Sequence, residues 1–232
     1  MILTVWLLYY SVESPYFQIK QIDVSGTSLA DVAQIQDFSA VSGENALLVR
    51  PSDVEKSVLK LSVVHDVKAE VTLTGRASVT VTERTPLVQW QAREGSFLVD
   101  SDGVAFSRQA SSAPLVAVRD LDGPAMEVGS RVDTSVVAAL ESLQAALPSR
   151  AGFSPTGYDY SRATGVSVQM PDGPRILFGD GDDLDSKLVA LATVRQHLDA
   201  IKTRAESIDL RFKGRPTYVI APSTPASPGQ TR

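Results

Sequence analysis

The chain has 232 residues, 43% of them hydrophobic, and a formal net charge of -5 at pH 7. This length can hold one large domain or two small ones, each with its own core. The acidic balance disfavours a role that depends on a basic, nucleic-acid-binding surface. Cysteine is absent, which excludes disulfides, thiolate metal sites and a cysteine nucleophile. The two histidines, His65 and His197, are far apart in the sequence, so a histidine-rich metal centre is excluded as well.

The amino-terminal segment Met1–Val12 is apolar and carries no charge before Glu13. A membrane-spanning helix needs about 20 such residues, so we interpret residues 1–13 as part of a transmembrane anchor whose beginning is missing. It lacks the basic start and small-residue cleavage site of a signal peptide. The alternative is an ordinary apolar first helix or strand. The residues expected to contact the bilayer are Trp6, Leu7, Leu8 and Tyr9.

A first module follows, with the predicted order β-α-α-β-β over residues 16–84. A short strand over residues 17–24 is followed by a helix capped by Thr27 or Ser28. Pro51 suits the first turn of a second helix. Apolar and polar residues then alternate on both sides of a turn at residues 74–76, which predicts an antiparallel pair with one buried face.

A second module is predicted over residues 87–220, as a mixed sheet with two helices packed on it. An Asp-Gly turn between the apolar stretches 97–99 and 104–106 predicts a hairpin. One helix is capped by Asp133 or Thr134 and ended by Pro148. Another follows Asp183, with an apolar stripe at Leu184, Leu188, Leu191, Val194, Leu198 and Ile201. Residues 221–232 are rich in Pro, Ser and Thr and are predicted to be disordered.

Three patterns are similar to chemical motifs, but each lacks an essential part. The acidic stretch 179–185 resembles a calcium loop without its glycine at the sixth position or its glutamate at the twelfth. Residues 57–60 match S-x-x-K, yet the partner motifs of that enzyme class are absent. Glu83 and Arg84 are neighbours on a strand and point to opposite faces. The sequence therefore predicts no catalytic residue, no metal site and no cofactor.

The modules resemble, in order, the POTRA domain and the β-domain of the FtsQ/DivIB bacterial cell-division family. Residues 79–86 match the V-x-V-x-E-R-x-P end of that POTRA domain, and residues 99–106 fit the hairpin that follows it. Residues 208–211 match the I-D-L-R segment of the β-domain. The turn at residues 74–76 departs from the family, which often has a bulky residue and a proline there. The implied fold class is α+β: a partial anchor, a POTRA domain and a β-domain.

The resemblance implies a non-enzymatic scaffold that links division proteins at the septum, anchored once in the plasma membrane with most of the chain extracytoplasmic. In the family, the end of the β-domain binds an FtsB-type partner, which pairs with an FtsL-type protein. The corresponding partner-binding residues here are Arg211, Phe212, Tyr218, Val219 and Ile220. Other division proteins would meet the POTRA domain. The alternative function is a POTRA-bearing transport or outer-membrane assembly factor, and the alternative interpretation of Phe212 is a core residue.

Overall fold

The structure is a computed structural model, which describes residue 14 and residues 16–109, 111 and 115–222. The predicted anchor, residues 1–13, and residues 223–232 of the predicted tail lie outside the described residues. The chain forms two compact units, Met1–Thr85 and Pro86–Arg232. The predicted α+β class is confirmed. None of the helices in the described part of the chain has the length and apolar character needed to cross a membrane.

The first unit contains strands β1 (Gln21–Ser25), β2 (Val64–Thr72) and β3 (Arg76–Glu83), and helices α1 (Val32–Ser39) and α2 (Pro51–Val58). The sheet order is β1-β3-β2, with β1 parallel and β2 antiparallel to the central strand. The alternation along β3 buries Ala77, Val79 and Val81, and the helices contribute Ile35 and Val54 to the same core. The element order is the one that the periodicity predicted.

The start of the first unit differs from the prediction in two places. Strand β1 begins at Gln21, because residues 17–19 bond instead to the loop at residues 43–46. Helix α1 begins after Asp31, whose Oδ1 accepts from the Ala33 N–H, so the predicted caps Thr27 and Ser28 are wrong. The backbone N–H groups of residues 28–30 bond to the distant Glu83 carboxylate and take no part in the helix.

The described residues of the second unit form a nine-stranded mixed sheet in the order β12-β11-β10-β9-β8-β7-β4-β5-β6. Its helices are α3 (Thr134–Ala146) and α4 (Leu184–Ala200). The strands are β4 (Val88–Ala92), β5 (Gly95–Val99), β6 (Ala105–Ser107), β7 (Val116–Asp120), β8 (Gly157–Ser161), β9 (Gly165–Gln169), β10 (Arg175–Gly179), β11 (Ala205–Asp209) and β12 (Thr217–Ile220). One face of the sheet packs with both helices in a single core around Trp90, Leu140, Phe178, Leu191 and Ile208.

Both helices of the second unit correct details of the prediction. Asp133 caps α3 as expected, but Pro148 does not end the helical backbone, because a π-helical turn carries it on through Leu147–Ala151. Helix α4 ends at Ala200, so Ile201 lies beyond the apolar stripe and is exposed. The stripe instead shares the buried face with Lys187, whose ammonium group finds polar partners there.

Candidate functional site

The I-D-L-R segment, residues 208–211, lies at the end of β11 and places side chains on both faces of the sheet. Ile208 and Leu210 are buried against the helices. Asp209 and Arg211 alternate with them and lie on the other face. The guanidinium of Arg211 donates to both carboxylate oxygens of Asp209, with Nη2 at 2.7 Å from Oδ2 and Nε at 3.0 Å from Oδ1. The strand alternation thus produces a bidentate ion pair at the end of β11, one strand in from the edge of the sheet.

The ion pair changes the titration of both groups. Hydrogen bonds from the Arg211 side chain lower the pKa of the Asp209 carboxyl, and they outweigh the opposing effect of burial. The same contact raises the pKa of Arg211. Both groups are therefore charged under ordinary conditions. The guanidinium is held in one orientation, which reduces the entropy that it would lose on binding a partner.

Phe212 lies directly beside this ion pair and is 61% exposed. The Arg211 Cζ atom lies 5.5 Å from the centre of its ring, which is a cation–π distance. The alternative interpretation of Phe212 as a core residue is wrong. An exposed aromatic ring next to an oriented arginine has the composition of a protein-binding hot spot.

Strand β12 is antiparallel to β11 and places its side chains on two faces. Tyr218 is opposite Ile208 and packs partly against the core, with its ring 6.1 Å from that of His197 on α4. Val219 and Ile220 are exposed. Of the three predicted β12 residues, Tyr218 thus contributes to the fold as well as to the surface, whereas Val219 and Ile220 lie at the surface.

The two edges of the large sheet differ in how their backbone groups are satisfied. At the β6 edge, the Ala105 N–H donates to the Ser130 carbonyl at 2.9 Å, and the Ala105 carbonyl accepts from the Gly129 N–H at 2.7 Å. A loop of the same unit therefore covers that edge. At the other end, β12 pairs with β11 alone in the described part of the chain. Among the described residues, the outer side of β12 is therefore an open edge, which can accept a further strand.

A cleft of about 210 Å³ lies beside this edge. Its lining combines residues 180, 182, 183, 186, 187 and 190 from the start of α4 with residues 210–214 and 216 from the loop before β12. The buried Lys187 donates from Nζ to the Phe178 carbonyl at 2.7 Å and lies 3.4 Å from Asp180 Oδ1. Burial raises the pKa of Asp180, but the hydrogen bond and charge of Lys187 together with backbone N–H groups outweigh it, and the net shift is downward. The cleft thus carries charges of both signs.

A second, larger cleft of about 480 Å³ lies over the middle of the sheet. Within it, Trp90 donates from Nε1 to Asp120 Oδ2 at 3.0 Å, and its ring lies 5.4 Å from that of Tyr160. A Cβ atom at residue 123 would lie 2.0 Å from Asp120 Oδ2, so any side chain there would displace this carboxylate. Burial raises the pKa of Tyr160, which also lines the cleft. These groups hold the sheet and the following loop together.

A comparison with known protein families shows which family the chain belongs to. The model of the C-terminal region of the cell-division protein FtsQ/DivIB matches residues 88–211. The chain belongs to the FtsQ/DivIB family. The match covers the sheet from β4 to the Asp209–Arg211 ion pair, and membership assigns the chain to the proteins of bacterial cell division. Phe212 and strand β12 lie just beyond the matched stretch.

Relatives named cell division protein FtsQ are similar over most of the chain. That of Chloroflexus aurantiacus is 24% identical over 212 residues, which are 90% of this chain and 76% of that protein. That of Corynebacterium glutamicum is 25% identical over 186 residues, 78% of this chain and 79% of that protein. That of Streptomyces coelicolor is 26% identical, over 82% of this chain and 74% of that protein.

The predicted partner-binding residues all lie in or just before the last strand, but sequence reasoning missed how they are held. The pairing of Arg211 with Asp209 could have been found, since residues two apart on a strand share a face. No pattern in the neighbouring sequence predicts the contact of Tyr218 with His197 or the burial of Lys187. Trp6 and the other predicted anchor residues lie outside the described residues.

Proposed function

We propose that this chain is a non-enzymatic scaffold of the division machinery, whose β12 edge binds a strand of an FtsB-type partner. The observation that carries the proposal is the contrast between the two edges of the large sheet. A loop covers the β6 edge, whereas β12 has no neighbour on its outer side in the described part of the chain. An open edge next to the exposed Phe212 and the oriented Arg211 suits strand addition.

Strand addition divides recognition between backbone and side chains. The N–H and C=O groups on the outer side of β12, which have no partner strand among the described residues, supply affinity for any extended segment. Specificity comes from Val219 and Ile220, which offer apolar contacts, and from Arg211, which attracts a carboxylate of the partner. Pro216 has no N–H to donate, so the added strand pairs from Thr217 onward. The bound FtsB-type protein brings its FtsL-type companion with it.

The first unit supports the same role. Its β-α-α-β-β order and its β1-β3-β2 sheet suit the POTRA domain of the family. In this scaffold it contacts other division proteins, while residues 1–13 anchor the chain in the plasma membrane at the septum. Confinement to one membrane raises the effective concentration of the partners for each other. The family match favours this role over a transport or assembly factor.

The test is binding of the full chain to the extracytoplasmic segment of an FtsB-type protein from the same genome. Val219→Lys places a charge on the open edge, and charged edge residues oppose strand addition. We expect at least about a tenfold loss of affinity, or roughly 1.4 kcal/mol. Val128→Lys is the matched control, since it changes another exposed valine of the same unit, in the loop that covers β6.

Phe212→Ala tests the exposed ring in the same assay. Phe212 is a cleaner probe than Tyr218, because Tyr218 also packs against the core and its loss would destabilise the fold. Thermal unfolding of each variant confirms that the fold is intact. Absence of binding by the unmodified chain would refute the edge-binding mechanism. Equal binding by the Val219→Lys and Val128→Lys variants would also refute it.

A further inference from the structure

Three loops of the first unit meet at the end where the chain enters it. The Ala46 N–H donates to the Phe17 carbonyl at 2.8 Å, and the Lys20 N–H donates to the Gly75 carbonyl at 3.0 Å. Gly75 has φ of +79°, and a Cβ atom there would lie 2.5 Å from the Gln18 carbonyl oxygen. The hairpin tip between β2 and β3 therefore lies against the entering chain. We call residues 16–20, 44–50 and 72–76 the proximal surface.

The proximal surface exposes large apolar side chains from all three loops. Tyr16 is 77% exposed, and Leu48 and Leu73 are 60% and 59% exposed, with Leu47 beside them. The ring of Tyr16 meets that of Phe17 edge-on at 5.6 Å. Single exposed apolar residues are common on protein surfaces, but several on converging loops mark an interaction site.

The same loops carry an excess of positive charge. Lys20, Arg50 and Arg76 are exposed, and Glu44 is the one acidic residue of the three loops. Among the described residues, none of these three cations forms an ion pair. Exposed cations around apolar side chains are typical of surfaces that rest on a membrane, where lysine and arginine meet anionic headgroups.

The position of the proximal surface in the chain points to the same partner. The apolar segment Met1–Val12 precedes it, and the four residues from Val12 to Tyr16 can span at most about 14 Å. We propose that the proximal surface contacts the anionic lipid surface, with Tyr16, Leu48 and Leu73 at the headgroup level and the cations on lipid phosphates. This inference rests on the proposed membrane anchor. It adds that the first unit is oriented on the bilayer.

Single-site fluorophores test the proposal. The chain has no cysteine, so Leu48→Cys and Leu73→Cys can each be labelled specifically with the environment-sensitive dye NBD. Leu59→Cys is the matched control, because Leu59 is also an exposed leucine but lies between α2 and the start of β2. Leu73 follows the far end of that nine-residue strand, about 26 Å along it. Leu48 lies before the start of α2, so the eight-residue helix, about 12 Å long, separates its loop from Leu59.

The full chain, with an amino-terminal histidine tag, is held on vesicles that contain a nickel-chelating lipid. This tether brings the first unit to the bilayer whether or not residues 1–13 insert. On vesicles with phosphatidylglycerol, we expect a blue shift and brighter emission at positions 48 and 73, quenching by doxyl lipids, and no change at position 59. The triple variant Lys20→Gln, Arg50→Gln and Arg76→Gln is expected to lose most of this response, as is the chain on pure phosphatidylcholine.

Equal emission at positions 48, 73 and 59 would overturn the proposal. So would a blue shift at positions 48 and 73 that is the same without phosphatidylglycerol and in the triple variant. Sedimentation of the untagged chain with vesicles tests the anchor separately. An untagged chain that stays in solution refutes the anchor, while a tagged chain that responds at positions 48 and 73 still supports the proximal surface. An untagged chain that sediments, without a response at these positions, supports the anchor and refutes the proximal surface.

Discussion

Removal of the Glu83 carboxylate is expected to destabilise the first unit. This carboxylate, at the end of β3, accepts from the backbone N–H groups of Ser28, Leu29 and Ala30 at 2.7–3.0 Å and from the Ser28 hydroxyl at 2.7 Å. It thereby ties the loop before α1 to a strand 53 to 55 residues later in the chain. Glu83→Ala removes every one of these acceptors at once.

The loss of stability depends on which of the lost hydrogen bonds water can replace. A hydrogen bond to a charged group contributes about 1.5–3 kcal/mol, and such contributions do not add fully. Ser28 and Leu29 are exposed, so water can accept hydrogen bonds from their N–H groups. Ala30 is half-buried, so its N–H group is less accessible to water. We therefore expect Glu83→Ala to lower the free energy of unfolding of the first unit by about 2–3 kcal/mol.

The measurement is hydrogen exchange of the backbone amides in β3, because neither tryptophan, Trp6 or Trp90, lies among the described residues of the first unit. A loss of about 2–3 kcal/mol reduces protection by roughly 30- to 150-fold. Glu70→Ala is the control, since Glu70 is an exposed glutamate on β2 that pairs with Lys68 at 3.1 Å. Its removal is expected to cost less than about 1 kcal/mol. Equal losses of protection in the two variants would refute the reasoning.

Acid provides an independent check on the same contact. Burial raises the pKa of Glu83, but the hydrogen bonds from Ala30, Ser28 and Leu29 together lower it below its ordinary value of 4.5. The folded pKa is thus below the unfolded one. The stabilisation is complete above the unfolded value and is lost as the pH falls through the folded value. The unmodified chain is therefore expected to lose stability on acidification below pH 4.5 more steeply than Glu83→Ala.

Two further substitutions test the second unit. Asp209→Asn removes the ion pair that orients Arg211. In titration calorimetry, it is expected to weaken binding of an FtsB-type segment about fivefold, or roughly 1 kcal/mol. Unchanged affinity would show that the orientation of Arg211 does not affect binding. Because the pKa of Asp209 is lowered, the ion pair is expected to persist from pH 7 into mild acid. Gly123→Ala brings a Cβ atom against Asp120 and is expected to cost about 1–3 kcal/mol in urea unfolding. Gly157→Ala meets no atom within 4 Å and is expected to change stability by less than about 0.5 kcal/mol; similar midpoints for the two variants would contradict the steric argument.

Local signals predicted most of the elements, and they failed where distant groups compete. Asp133 caps α3 and Pro51 begins α2 as expected, because capping and the fixed φ of proline act within one turn. Ser28 has the same capping chemistry, but Glu83 takes its N–H and hydroxyl groups and α1 begins later. No pattern within a short window can reveal a carboxylate that is 55 residues away.

The sequence by itself determined the α+β class, the antiparallel pair before Glu83, the relationship to the FtsQ/DivIB family and the position of the candidate partner residues. Periodicity and motifs carry this information because they depend on neighbours along the chain. The tertiary structure alone decided that a loop covers β6, that β12 is an open edge in the part of the chain that the structure describes, and that Phe212 is exposed. These properties depend on the order of strands in the sheet, and contacts between distant segments set that order.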